Sequence, residues 1–247
     1  MQIFEEIDST QLEAKRQIDI NGCVNDTILA ITQTAGLTTK VGVPWIAQRG
    51  DLLYSIVLNM DLLQKKGHIL INHLTFCASM AIFDFLKQTN STLQLFFKWP
   101  NDLLVLQQKT QEYKKICGIL AESYKGHFII GIGCNLVSFP EQTTNFKATS
   151  IQNEVGIHID NIKMANIVLK KMHQNIQQVQ QFGFSSLKNK WKQHAYMLGQ
   201  KFLLRDGGIV TFIDIQDEGF LVAQKESNDT LIITSDEIIA KQYKPYK

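Results

Sequence analysis

The sequence predicts an α+β fold, and three observations carry that prediction. Four apolar segments between Leu93 and Val137 follow one another through short links, which means antiparallel pairing. Long helical patterns lie on either side, at His68–Lys87 and from Ile162 onward. From Gly199 to Gln242, short apolar runs alternate with the turn signals Asp206-Gly207-Gly208, Asp217-Glu218-Gly219 and Ser227-Asn228-Asp229.

Ser9-Thr10-Gln11-Leu12-Glu13 opens the first helix, with Thr10 and Glu13 in capping-box spacing. Thr27–Thr34 is β-branched and apolar and reads as a buried strand. Thr34–Gln48 is a loop punctuated by Gly36, Gly42 and Pro44, and Leu52–Leu58 is the next strand. His68–Lys87 has few breakers and broad apolar faces, so it is a mostly buried helix. Strands follow at Leu93–Lys98, Leu103–Leu106, Ile116–Glu122 and Phe128–Val137. The turn Trp99–Asp102, the polar link Gln107–Lys114 and the connection Ser123–Gly126 join them. Pro140–Gly156 reads as a polar loop, and Ile162–Gln181 and Phe184–His194 as helices. The composition changes after Leu198, which divides the chain into a main domain, 1–198, and a β unit of about five strands, 199–247. So small a unit is marginal alone and should pack on the main domain.

Hydrophobic residues make up 45% of the 247, enough for a real core. A net charge of +2 creates no strong field for nucleic acid or anionic membrane, so any anionic ligand must be held by a few local groups. The most apolar stretch, Ile69–Leu86, is interrupted by His73, Ser79 and Asp84, which argues against a membrane span. Met1–Asp8 is acidic and lacks the pattern of a signal peptide. Cys23, Cys77, Cys117 and Cys134 form no C-x-x-C pair and read as buried thiols in a reducing, cytoplasmic setting. The histidines show no metal-ligand spacing.

Four constellations carry candidate chemistry. In Lys98-Trp99-Pro100-Asn101-Asp102, proline and asparagine suit a turn. A hairpin corner explains them, and so does a turn presenting an amine and a Mg²⁺-binding carboxylate together. Lys115–Glu122 places Gly118 inside a strand, where glycine often marks close approach of a ligand or another backbone. Ile130–Val137 carries Gly131 and Gly133 in an apolar strand, then Asn135; Leu136 and the lack of a following helix exclude a dinucleotide fingerprint. Gln33-Thr34-Ala35-Gly36 leads through a loop to Trp45 and Gly50-Asp51-Leu52. A polar strand end with a glycine loop is a common binding geometry, and also an ordinary surface loop with Trp45 as a lid.

Taken in order, Ser-Thr, Q-x-x-G, G-D-L-x-x-S, KWPND, K-x-x-G-I-L-x-E and G-x-G-x-N resemble the biotin protein ligases from about Ile7 to the end. Ser235-Asp236-Glu237-Ile238 resembles that family's closing S-G-E-V. The resemblance implies a mixed sheet like that of class II aminoacyl-tRNA synthetases, followed by an SH3-like β domain. It implies formation of biotinyl-5′-AMP from biotin and ATP with Mg²⁺, then transfer to a lysine of a biotin carboxyl carrier domain. By resemblance Lys115 bridges the biotin carboxylate and the α-phosphate, Lys98, Asn101 and Asp102 complete the catalytic group, and Asp102 holds Mg²⁺. Asn135 and Lys40 fall to the nucleotide. Ser9, Thr10, Gln33, Gly36, Thr39, Trp45, Gly118, Gly131 and Gly133 fall to biotin. No His or Glu in the motifs is an obvious base for the transfer.

Two departures stand out. The family's G-R-G-R-x-G-R-x-W loop is replaced by Gly36-Leu37-Thr38-Thr39-Lys40-Val41-Gly42-Val43-Pro44-Trp45, one residue longer, with one lysine and no arginine. A lysine does not copy arginine's bidentate fork to phosphate. Arg49 is a candidate substitute. Few residues precede Ile7, so a DNA-binding domain and operator binding are not expected. The alternatives are a lipoate or octanoate ligase of the same superfamily, or a non-catalytic biotin-binding homologue. Members of the family often dimerise along a sheet edge.

Overall fold

The computed structural model describes residues 1–22, 25–40, 42–141, 146–204 and 206–234. Its centre is a seven-stranded mixed sheet. The strands are β1 (Gln2–Ile7), β2 (Thr27–Gln33), β3 (Leu52–Asn59), β4 (Leu95–Lys98), β5 (Asp102–Gln107), β6 (Glu112–Tyr124) and β7 (His127–Cys134), in the order β1-β2-β3-β7-β6-β5-β4. Only β1 and β2 pair in parallel; every other neighbouring pair is antiparallel. The expected α+β class holds.

β1 had no apolar signature because it is an edge strand with mostly exposed side chains. Backbone pairing places it, running from Gln2 opposite Ile28 to Ile7 opposite Gln33. β3 lies inside the sheet between β2 and β7, with all eight residues buried. Helix α1 (Thr10–Asn21) is capped by Ser9, whose side chain accepts from the Gln11 amide. That corrects the Thr10–Glu13 capping box: Thr10 is already helical, and its hydroxyl bonds Ser55 instead. A short α2 (Met60–Gln64) leads to the core helix α3 (Ile71–Thr89). Another short helix, α4 (Ile151–Val155), lies in the segment expected to be loop, capped by Ser150 accepting from the Asn153 amide. Helices α5 (Asn161–Phe182) and α6 (Ser185–Lys192) follow.

β6 starts four residues earlier than expected, and β7 stops at Cys134, short of Val137. The cause of the early stop is Asp51. One carboxylate oxygen accepts the amides of Leu136, Val137 and Ser138 at 2.9, 2.8 and 3.1 Å, and the other binds Ser138 Oγ and the Gln48 amide. The chain after β7 is thereby tied to the end of the 36–50 loop.

The C-terminal unit shows a four-stranded antiparallel sheet, order β11-β10-β9-β8, from β8 (Lys201–Leu203), β9 (Ile209–Ile215), β10 (Leu221–Lys225) and β11 (Thr230–Ile233). The rest of the five-strand expectation and Ser235-Asp236-Glu237-Ile238 lie outside the described residues, as does Cys23. The small sheet docks against α3 and α6, with ion pairs Lys188–Asp217 and Lys192–Asp214 at its margin. No described helix is long and apolar enough to cross a membrane.

Two stability predictions follow from buried polar groups. Asp51 is fully buried, so Asp51→Ala strips several backbone amides of their partner; a loss of about 3 kcal/mol in urea unfolding is expected. A loss below about 1 kcal/mol would mean water replaces the carboxylate. His73 stacks on Phe184, accepts the Leu70 amide at Nδ1 and bonds the Asp217 carbonyl through Nε2. Burial holds its pKa below the ordinary 6.5, so the neutral ring is the folded form. Its contribution is intact above pH 6.5 and is lost as pH falls through the lower folded value. The slope of Tm between pH 7 and 5 should therefore flatten in His73→Gln; an unchanged slope would assign the acid sensitivity to other groups.

Candidate active site

A cleft with about 470 Å³ of empty space, part of it open to solvent, lies over the face of β3, β7 and β6. Its first end is polar and uncharged. The start of α1 supplies Ser9, Thr10 and Gln11, and the end of β2 supplies Gln33. The Thr10 amide donates to Gln33 Oε1 at 2.7 Å, which fixes the strand end against the helix start. Ser55 Oγ lies 2.8 Å from Thr10 Oγ1 and 2.9 Å from Gln11 Oε1, and having one proton it donates to one at a time. Gln11 Nε2 donates to Glu122, which also pairs with Lys15. This network leaves two hydroxyls and two amides oriented at the cavity wall.

The middle is a cradle of glycines. A Cβ at Gly118 would lie 2.9 Å from the Trp45 ring, and one at Gly133 would overlap the same indole. The Gly131 space is taken by the Gln11 side chain. Trp45 therefore lies flat against the sheet, and its Nε1 is buried without a partner among the described residues. Gly36 and Trp45 form a backbone bridge, with the Trp45 amide donating to the Gly36 carbonyl at 2.9 Å. Thr38 Oγ1 then donates to the Val43 carbonyl and accepts the Lys40 amide, folding the loop on itself. Leu37, Thr38 and Thr39 line the cavity from this loop. Gly36 closes the loop from outside the wall.

The other end is cationic. Asp102 pairs with Lys115 at 2.5 Å and with Lys98 at 3.3 Å. Burial opposes ionisation of Asp102, but the two lysines outweigh it and hold its carboxyl below the usual value. Lys40 reaches this group from the loop: burial, then repulsion from Lys115 and Lys98, lower its pKa, partly offset by Asp102. Lys98 and Lys115 thus share one carboxylate, and Lys40 stands near enough to feel all three charges. Lys115 also sits 5.4 Å from the Trp45 ring centre, and Lys98 lies at the same distance over Phe146. Asn101 is locked to β6, its Nδ2 donating to the Ile119 carbonyl at 2.7 Å while its carbonyl accepts the Ile119 amide at 2.9 Å.

The structure thus brings Ser9, Thr10, Gln33, Thr39, Trp45, Asn101, Lys115, Gly118, Gly131 and Gly133 to one cavity, with Asp102 and Lys98 behind Lys115 and outside the lining, and Lys40 within reach of their charge. Asn135 stands apart. It is 2% exposed, and its Nδ2 donates to the Thr149 carbonyl, joining β7 to the 147–151 segment. Arg49 does not replace the loop arginines, because it pairs with Glu5 at the exposed β1 edge. Gln11 and Ser55 escaped the sequence reading of the site. Ser55 closes the G-D-L-x-x-S pattern, and that was the signal available for it. Gln11 was masked by its place in a helix start.

Comparison with known proteins agrees with this geometry. Residues 3–136 match the model of the biotin/lipoate A/B protein ligase family. A biotin–[acetyl-CoA-carboxylase] ligase of Paracoccus denitrificans is 28% identical over 79% of this chain and 82% of its own. The bifunctional ligase/repressor BirA of Bacillus subtilis is 27% identical over 93% of this chain and 71% of its own. A biotin protein ligase from Aquifex aeolicus, solved in complex with biotin and ATP, superposes with a TM-score of 0.76 at 26% identity, covering 95% of each chain. A biotin protein ligase-like protein of unknown function from Silicibacter shares the fold at 12% identity, with a TM-score of 0.67. With the matching model spanning more than half of its length, the chain belongs to the biotin/lipoate A/B protein ligase family.

Proposed function

We propose that the protein is a biotin protein ligase, which activates biotin with ATP and transfers it to a lysine of a biotin carboxyl carrier domain. The observation that carries this reading is the polarity of this cavity. Hydroxyls and amides stand at one end, and a lysine-rich anion site stands at the other. A ligand with a neutral hydrogen-bonding ring and a carboxylate tail matches both ends. The ureido ring of biotin offers two N–H donors and a carbonyl to Ser9, Thr10, Gln11 and Gln33.

The chemistry needs two anions brought together. A carboxylate oxygen of biotin attacks the α-phosphorus of ATP, and the bond to pyrophosphate breaks. Lys115 faces both groups and stabilises the charge that develops between them. Lys98 and Lys40 attract the phosphates, and Asn101 keeps the turn in register with β6. By resemblance Asp102 would hold the divalent ion, with substrate phosphates supplying most of its ligands, since among the described residues no group of three or more His, Cys, Asp or Glu could hold one. Incoming phosphates give Lys98 and Lys115 another anion, which frees the carboxylate. Bound there, Mg²⁺ would neutralise phosphate charge. In the second step the carrier lysine's uncharged amine attacks the acyl carbon, AMP leaves, and the amine's proton passes to solvent. The 36–45 loop, with Trp45, Thr39 and Lys40, shields the adenylate from water.

We assign catalysis to residues 1–198 and the appended sheet to 199–247. Free thiols at Cys77, Cys117 and Cys134 suit a cytoplasmic enzyme. A lipoate ligase is the second reading. The dithiolane ring of lipoate has no N–H or carbonyl to satisfy the polar end, and unpaired buried polar groups are costly.

Intact-mass analysis of a carrier domain incubated with the protein, MgATP and biotin tests the proposal. A gain of one biotinyl group is expected, and Lys115→Ala should lower the rate at least about a hundredfold while leaving the fold intact. Gain with lipoate on a lipoyl domain, and none with biotin, would move the assignment to the sister activity. Lys40→Ala should raise KM for MgATP about tenfold, with Lys40→Arg restoring it. Unchanged KM in Lys40→Ala would remove the loop lysine from the phosphate site.

A further inference from the structure

The turn that carries Asn101 and Asp102 is gripped from outside the catalytic sheet. Trp99, 2% exposed, donates its Nε1–H to the Gly219 carbonyl at 2.9 Å. Asn72 Nδ2 donates to the Glu218 carbonyl at 3.0 Å, and His73 Nε2 bonds the Asp217 carbonyl at 2.7 Å. Three side chains of the main domain therefore engage three consecutive carbonyls in the turn between β9 and β10. Gly219 makes the approach possible: its φ is +86°, and a Cβ there would lie 2.9 Å from Asn72 Cβ. On the other side, β4 would be an open edge. The segment entering the small sheet closes it, with the Phe97 amide donating to the His194 carbonyl and the Tyr196 amide to the Phe97 carbonyl.

The path from the small sheet to the charged site is short. It runs from Gly219 to Trp99, then along the chain to Asn101, locked on Ile119, and Asp102, paired with two lysines. The ring end of the cavity is held differently, through Gln33, Ser55 and Glu122. The bonds between the small sheet and Trp99, Asn72 and His73 named above do not touch that end. A bond across the two units at the base of the turn can thus act on one end of the cavity and spare the other.

We propose that Trp99 is a positioning residue: through its bond to Gly219, the C-terminal sheet sets the Lys98–Asp102 turn and so governs the nucleotide end of the site. The identity of the ligand at that end rests on the ligase reading above.

The test uses the full chain and two substitutions. Trp99→Phe keeps most of the ring and removes the donor. Gly219→Ala disturbs the turn from the C-terminal side, leaving every cavity residue in place. Binding of MgATP and of biotin is titrated separately, and amide hydrogen exchange is followed at Ile119. In both variants MgATP should bind about fivefold more weakly, the scale of one lost hydrogen bond, with biotin unchanged and Ile119 exchanging faster. A lower Tm with equal effects on both ligands, or with Ile119 protection unchanged, would reduce Trp99 to a structural contact and overturn the proposal. If Gly219→Ala does not fold, Trp99→Phe decides alone. Failure of the wild type to form a biotinyl adenylate would sink the ligase reading, whereas the exchange at Ile119 tests the coupling independently of turnover.

Discussion

The arrangement around Asp102 is the constraint on which the site depends. One carboxylate is half-buried between Lys98 and Lys115, with Lys40 close by. A buried ion pair is weak evidence for stability, because desolvation offsets much of the attraction. Here the pair is shared, since two lysines converge on one carboxylate and a third lies within reach of its charge. Asp102 holds Lys98 and Lys115 together at the turn. The turn geometry, the lock of Asn101 on β6 and the grip on Trp99 all serve to hold that carboxylate in place.

The glycines and Trp45 form the second half of the design. Gly118 and Gly133 are opposite each other on β6 and β7, so their missing side chains make one continuous hollow. Trp45 fits into it because the loop is pinned by a backbone bridge at Gly36 and by Asp51 at its far end. The loop therefore keeps its place without arginines. Its cation is Lys40, a compact charge that lacks the planar fork of arginine but stands in the same cluster as Lys98 and Lys115.

Much of this was legible in sequence. The core helix α3 and strands β2 to β7 announced themselves by apolar runs, because their burial is dictated by side-chain chemistry. The motif order pointed to the cavity residues. What stayed hidden were features set by backbone pairing or by partners distant in the chain. β1 has no apolar pattern, α4 is five residues long, and β7 is ended by a carboxylate more than eighty residues earlier.

The sequence by itself determined the fold class and the inventory of reactive groups, because apolar period, turn chemistry and residue type are local properties. Only the tertiary structure decided their assignments. It put Gln11 in the space beside Gly131, sent Arg49 to Glu5 and turned Asn135 toward Thr149. It also joined Trp99 to Gly219, 120 residues on. The physical reason is common to all four: what a polar side chain meets when it is buried or brought near a charge is fixed by packing, not by spacing along the chain.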